Sequence, residues 1–128
     1  MGSGQHLILN KMAILKTIKE RRSIREFQKK EIPKKIIEKL IEALIWAPSA
    51  GNLQSRKFYF VFNQEIKEKL AVAALGQDFI AQAPLVVVGC TDEKISWRYA
   101  ERGKNLYSIC DVSASIQNRR FYRRTLYA

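Results

Sequence analysis

Two short runs set the limits on what this chain can fold into. KFYFVF (57–62) and LVVVGC (85–90) are the segments that read as strands, while the rest carries helical periodicity or turn residues. The first is rich in aromatics. The second is an unbroken apolar run of the kind found in a strand covered on both faces, as at the centre of a sheet. Two strands alone make a poor sheet. The pattern therefore implies strands that periodicity misses, or strands supplied by a partner chain or by sequence absent here.

The strongest helical signal lies just before the first run. Ile36, Ile37, Leu40, Ile41, Leu44 and Ile45 form one apolar stripe over residues 34–47. Pro33 falls where a first helical residue would, and Pro48 stops the helix because proline disfavours the α conformation in the residue before it. Ile14, Leu15 and Ile18 predict a shorter amphipathic helix over 12–20. Further helices are expected over 64–75, ending at Gly76, and over 104–118, with a helical turn over 78–83 closed by Pro84. The order helix, helix, strand, helix, strand, helix predicts an α+β or α/β layer arrangement, a small sheet flanked by helices.

A chain of 128 residues with 47% hydrophobic content fits one domain with a packed core. No apolar run approaches the ~20 residues needed to cross a bilayer, so a membrane-spanning helix is not expected. The two cysteines, Cys90 and Cys110, make no disulfide framework; buried reduced thiols in a cytoplasm are the expectation. Trp46 and Trp97 are read as core or core edge. The sole histidine, His6, lies near the terminus, which disfavours a His-based metal site, a Ser-His-Asp triad or a Cys-His pair. Residues 1–11 are set apart as an N-terminal extension, with MGSG resembling a cloning remnant.

The net charge is +11, from 23 basic and 12 acidic residues. It would suit a phosphate-bearing ligand, nucleic acid or an anionic membrane surface. Four of the arginines sit in the last ten residues, RRFYRRTLYA, and many lysines alternate with glutamates as on a solvated helix face.

Three clusters could carry chemistry. Arg21, Arg22, Ser23 and Arg25 place three guanidinium forks and a hydroxyl within five residues. That set matches a phosphate, but it equally matches a cationic cap on the end of the preceding helix, and composition alone favours the cap. Pro48–Gln54 (PSAGNLQ) combines small residues with two amides, which lets backbone approach a flat heterocycle; taken alone it reads as an ordinary helix-to-strand loop. Asp111–Asn118 (DVSASIQN) offers small side chains for close helix packing, either internally or across a dimer.

Taken together, RRSIREF (21–27), APSAGNLQSRKFYFV (47–61), FIAQAPLVVVGC (79–90) and YSICDVSASIQN (107–118) resemble the nitroreductase family in order and approximate spacing, over Ile14 to Asn118. The resemblance implies an α+β fold and a homodimer with FMN at the subunit interface. Reducing equivalents would pass from NADH or NADPH through the flavin to a nitroaromatic, quinone or similar acceptor. Carried over by position, Arg21, Arg22, Ser23 and Arg25 would hold the phosphate and ribityl end of FMN. Pro48, Ser49, Ala50 and Asn52, with Gln54 beside them, would approach the ring system from the partner subunit. No side chain need serve as acid or base, since a flavin carries its own redox chemistry, and no metal is implied.

The resemblance divides the chain into the extension 1–11, a nitroreductase-like FMN-binding domain 12–118 and a non-family basic tail 119–128. The family continues after Gln117-Asn118 into an apolar helix and further elements. Here Arg119, Arg120, Arg123 and Arg124 fall where a buried helix face should continue. The abrupt change suggests a chain cut short, its last ten residues read from a shifted frame. Two other functions fit the residues: a flavin-binding protein without turnover, and a basic nucleic-acid-binding domain.

Overall fold

The computed structural model describes residues 13–127, with side-chain surroundings described outside 95–97 and 121–127. The extension 1–11, including His6, and the side chain of Trp97 lie outside the described residues.

Helix α1 covers residues 13–20. Helix α2, Lys34–Ile45, uses Pro33 as its N-terminal cap rather than as its first helical residue. The Pro33 carbonyl accepts the amides of Ile36 and Ile37 at 2.9 and 3.2 Å. A 3₁₀ turn (Ala50–Asn52) leads into strand β1, Arg56–Val61. Helix α3 is Gln64–Ala73, where the Asn63 side chain accepts the Ile66 amide at 3.0 Å as an N-cap. It ends in a left-handed pair, Leu75 (φ 64°) and Gly76 (φ 73°). The short helix α4, Phe79–Gln82, precedes strand β2, Val86–Thr91. Two short helices, α5 (Glu93–Ser96) and α6 (Ala100–Arg102), lead through a π-turn at Gly103–Tyr107 to the long helix α7, Ser108–Tyr127.

The strands pair antiparallel, from Arg56 opposite Thr91 to Val61 opposite Val86. Among the described residues the sheet has two strands. The apolar run of β2 is therefore half-buried along most of its length rather than enclosed at a sheet centre, because β1 covers one edge only.

Helix α7 is the spine of the packing. One side meets α2, which contributes the buried Leu40 and Leu44; another crosses the sheet. The crossing is close: a Cβ on Gly89 would lie 2.8 Å from Val112 Cγ1, so a side chain there would push α7 off β2. Ser108 and Ser115 of α7 are fully buried. These two serines thus serve internal packing, while Ser113 of the same stretch is exposed.

A second packing unit joins α3 to α4. Lys67 is buried, and its ammonium donates to the Ala83 carbonyl at 2.7 Å, satisfying a group just ahead of Pro84.

Several apolar side chains stay outside this packing. Trp46 is 78% exposed, contrary to its expected place in the core, and Ile41 and Ile45 beside it are exposed too. The α1 stripe of Ile14, Leu15 and Ile18 is likewise exposed among the described residues. Cys110 is exposed and Cys90 half-buried, so neither is the buried thiol expected; both are free. Among the described residues no helix is long and apolar enough to cross a membrane.

Candidate functional site

The two segments singled out in the sequence occupy different places. Arg21, Arg22, Ser23 and Arg25 follow the end of α1 without regular secondary structure and line one cleft of about 550 Å³. Its other walls come from residues 77–87, around α4 and the start of β2, and from Arg119 and Arg120 of α7. Pro48, Ser49, Ala50, Asn52 and Gln54 are not part of the cleft wall.

Aromatic contacts position the arginine segment. Phe27 stacks on Phe79 with ring centroids 6.5 Å apart and 22° between planes. The Arg25 guanidinium lies 5.9 Å from the centre of the Phe79 ring, a cation–π distance. Arg22 folds back along the chain, its Nη1 donating to the carbonyls of Lys19 and Arg21 at 3.1 and 2.9 Å. One arginine therefore does cap the end of α1, as composition favours, while still bordering the cleft.

The charge balance is one-sided. Five arginines (Arg21, Arg22, Arg25, Arg119, Arg120) and one glutamate (Glu20) are among the residues that line the cleft, so its charged lining is mostly basic. Ile80, Leu85, Val86 and Val87 add apolar lining to the same cleft. Such a cleft suits a ligand that is anionic at one end and apolar or flat at the other.

The loop 48–55 is built differently, through buried polar contacts. The buried Asp111 of α7 accepts the Ala50 amide on Oδ1 at 3.0 Å, and the Ser55 hydroxyl lies 3.4 Å from Oδ2. The Arg56 guanidinium donates to the carbonyls of Ile45, Ala47 and Pro48 at 3.0, 2.9 and 3.2 Å, tying the loop to the end of α2. Ser49 Oγ accepts the Gln54 amide at 3.1 Å. Gly51, Asn52 and Gln54 all take left-handed conformations, with φ of 57°, 55° and 52°. At Gly51 this suits glycine, and a Cβ there would also collide with the Tyr99 hydroxyl. Pro48 and Asn52 are exposed on the outcome of this folding.

Sequence reasoning missed the residues that join distant segments. Asp111 stands 61 positions from Ala50, so local patterning could not link them. Arg119 and Arg120, the first residues of the basic tail, continue helix α7, which runs through position 118 without a break. The signal was present: RRFYRRTLYA holds no glycine or proline to end a helix. Among the described residues no group of His, Cys, Asp and Glu could hold a metal ion.

The fold and this cleft now stand beside known proteins. The Nitroreductase family profile matches residues 18–94. A protein of Methanothermobacter thermautotrophicus, provisionally named NADH dehydrogenase/NAD(P)H nitroreductase, is 33% identical over 87 residues, 68% of this chain and 46% of that protein. An FMN reductase (NAD(P)H) of Bacillus subtilis is 33% identical over 79 residues, 62% of this chain and 32% of that protein. Among solved structures, the NADPH:FMN oxidoreductase of Vibrio harveyi, complexed with NAD+, superposes with a TM-score of 0.73 at 26% identity, over 84% of this chain and 50% of that chain. The chain belongs to the nitroreductase family and has its mixed α+β fold. It spans about half the length, or less, of these relatives.

Proposed function

We propose that this chain is an FMN-binding unit of an NAD(P)H-dependent oxidoreductase acting as a homodimer in the cytoplasm. The phosphate and ribityl end of FMN would lie in the arginine cleft, held by Arg21, Arg22, Ser23 and Arg25. The observation that carries the reading is the cleft itself, which these residues line together with apolar side chains. A dianionic phosphate matches the guanidinium forks and the Ser23 hydroxyl; a flat ring system matches the apolar side. The residues present therefore fit the group.

Pro48, Ser49, Ala50, Asn52 and Gln54 would border the rings of FMN bound to a second copy. Their position outside the cleft of their own chain, on a loop held by Asp111 and Arg56, supports such sharing. So does the exposed apolar surface next to the loop, Ile41, Ile45 and Trp46, which a second copy would cover. Bound FMN would supply the redox chemistry, between NADH or NADPH and a nitroaromatic, quinone or similar acceptor. The chain's own work is to bind, orient and shield.

A second reading is a flavin binder without turnover. An absorbance scan of the purified chain with and without FMN tests both. Flavin absorbance retained on the protein and bleached by NADH or NADPH supports the oxidoreductase. Retained colour without bleaching supports the binder, and no uptake of FMN refutes both.

A further inference from the structure

Lys67 is a buried cation that the arginine site does not use. It is 5% exposed, and among the described residues no acidic side chain pairs with it; its ammonium donates to the Ala83 carbonyl at 2.7 Å. A lysine is rarely buried without a carboxylate, because the charge gives up its hydration. What Lys67 holds is the exit of α4. A helix of four residues does not sustain itself, and the carbonyls at its end have no partners within it. Two side chains of α3 supply partners from outside: Lys67 at Ala83, and Gln64, whose Nε2 donates to the Ala81 carbonyl at 3.1 Å. Helix α3 is itself fixed at its start by the Asn63 cap.

The end of α4 fastened in this way belongs to the cleft. Ala83 lines it together with Phe79 and Ile80 of α4. Phe79 is the ring on which the arginine segment rests, with Phe27 stacked at 6.5 Å and the Arg25 guanidinium 5.9 Å from the ring centre. Placement therefore passes from α3 through α4 to Arg25.

We propose that Lys67 is a positioning residue for the cleft: by holding α4 it fixes the Phe79 ring and, through that ring, Arg25. The inference rests on the reading above for the ligand, FMN, and adds a residue outside the cleft wall. Lys67 touches no ligand and acts only through Phe79.

Lys67→Met removes the donor and keeps an unbranched apolar stem. In the ligand-free chain, the proton resonances of the Arg25 side chain report its place beside the Phe79 ring, and Phe79→Leu gives their values without the ring. Lys67→Met should move them toward those values. FMN affinity should fall about three- to ten-fold, and that loss should nearly vanish in a Phe79→Leu background. Lys69→Met removes the same charge from an exposed position on the same helix and should leave both readouts unchanged. Gln64→Ala, at the exposed fastening point, repeats the test at smaller amplitude should Lys67→Met fold poorly.

Arg25 resonances that stay in place in both Lys67→Met and Gln64→Ala overturn the inference. So does an FMN affinity that Lys67→Met leaves intact, or lowers equally with and without the Phe79 ring; the FMN reading then stands. A wild-type chain that takes up no FMN refutes that reading instead, and the Arg25 resonances alone then decide the inference.

Discussion

The loop 48–55 and the arginine segment 21–27 show two ways of preparing backbone for a ligand. The loop is fixed from within. Asp111, Arg56 and Ser49 satisfy its amides and carbonyls, and Tyr99 closes on Gly51. The arginine segment has no such frame. It leans on Phe27 and Phe79 and crowds cations into one cleft. The loop therefore spends stability on shape before a ligand arrives, whereas the arginine segment gathers cations whose mutual repulsion a bound anion would reduce. Substitutions in the loop should lower folding stability, and substitutions in the arginine segment should lower affinity alone.

Asp111→Ala should break that contrast most severely. It strips the acceptor from the Ala50 amide and the Ser55 hydroxyl in a buried site, and should cost about 2–4 kcal/mol in urea unfolding. A loss below about 1 kcal/mol would show that the loop is held by other means.

Arg21→Ala with Arg25→Ala should act on the other side. FMN affinity should fall about ten- to hundred-fold, or roughly 1.4–2.8 kcal/mol. The unfolding midpoint should hold or rise, since like charges are removed. A fall in stability matching that at the loop would erase the distinction.

Gly51→Ala should cost about 1–2 kcal/mol, from a left-handed backbone and the Tyr99 hydroxyl. Adding Tyr99→Phe should recover part of the loss, and a double-mutant cycle measures how much. At the small end, the exposed pair Lys69–Glu65, 2.8 Å apart at i,i+4 spacing, lies in neither region. Lys69→Ala should shift stability within about 0.5 kcal/mol.

The parts of the fold that local pattern controls were legible. The stripe from Ile36 to Ile45 and the stops at Pro33 and Pro48 mark α2 to within two residues, because helical period and proline geometry act on neighbours. What a stripe faces is not local. Trp46 belongs to the same apolar pattern as Leu44, yet Leu44 is buried and Trp46 is not. Valine-rich β2 likewise looked central, and its single pairing follows from how many strands surround it rather than from its own residues.

The candidate site divides in the same way. Arg21–Arg25 stood out because their charges are adjacent in sequence. Asp111 did not, because its role depends on a contact between α7 and a loop more than fifty residues earlier. Arg119 and Arg120 were read through composition, where an apolar-to-basic change marks a boundary. Helix α7 nonetheless continues through them, because RRFYRRTLYA holds no glycine or proline to end it.

The central claim is that guanidinium groups around the cleft recognise a phosphate on a flavin. Parallel fluorescence titrations of the wild-type chain with FMN and with riboflavin, which share the ring system and differ in the phosphate, test it most directly. FMN should bind at least about ten-fold tighter, with the advantage shrinking as salt screens the arginines. Equal affinities, or a preference for riboflavin, would contradict the assignment.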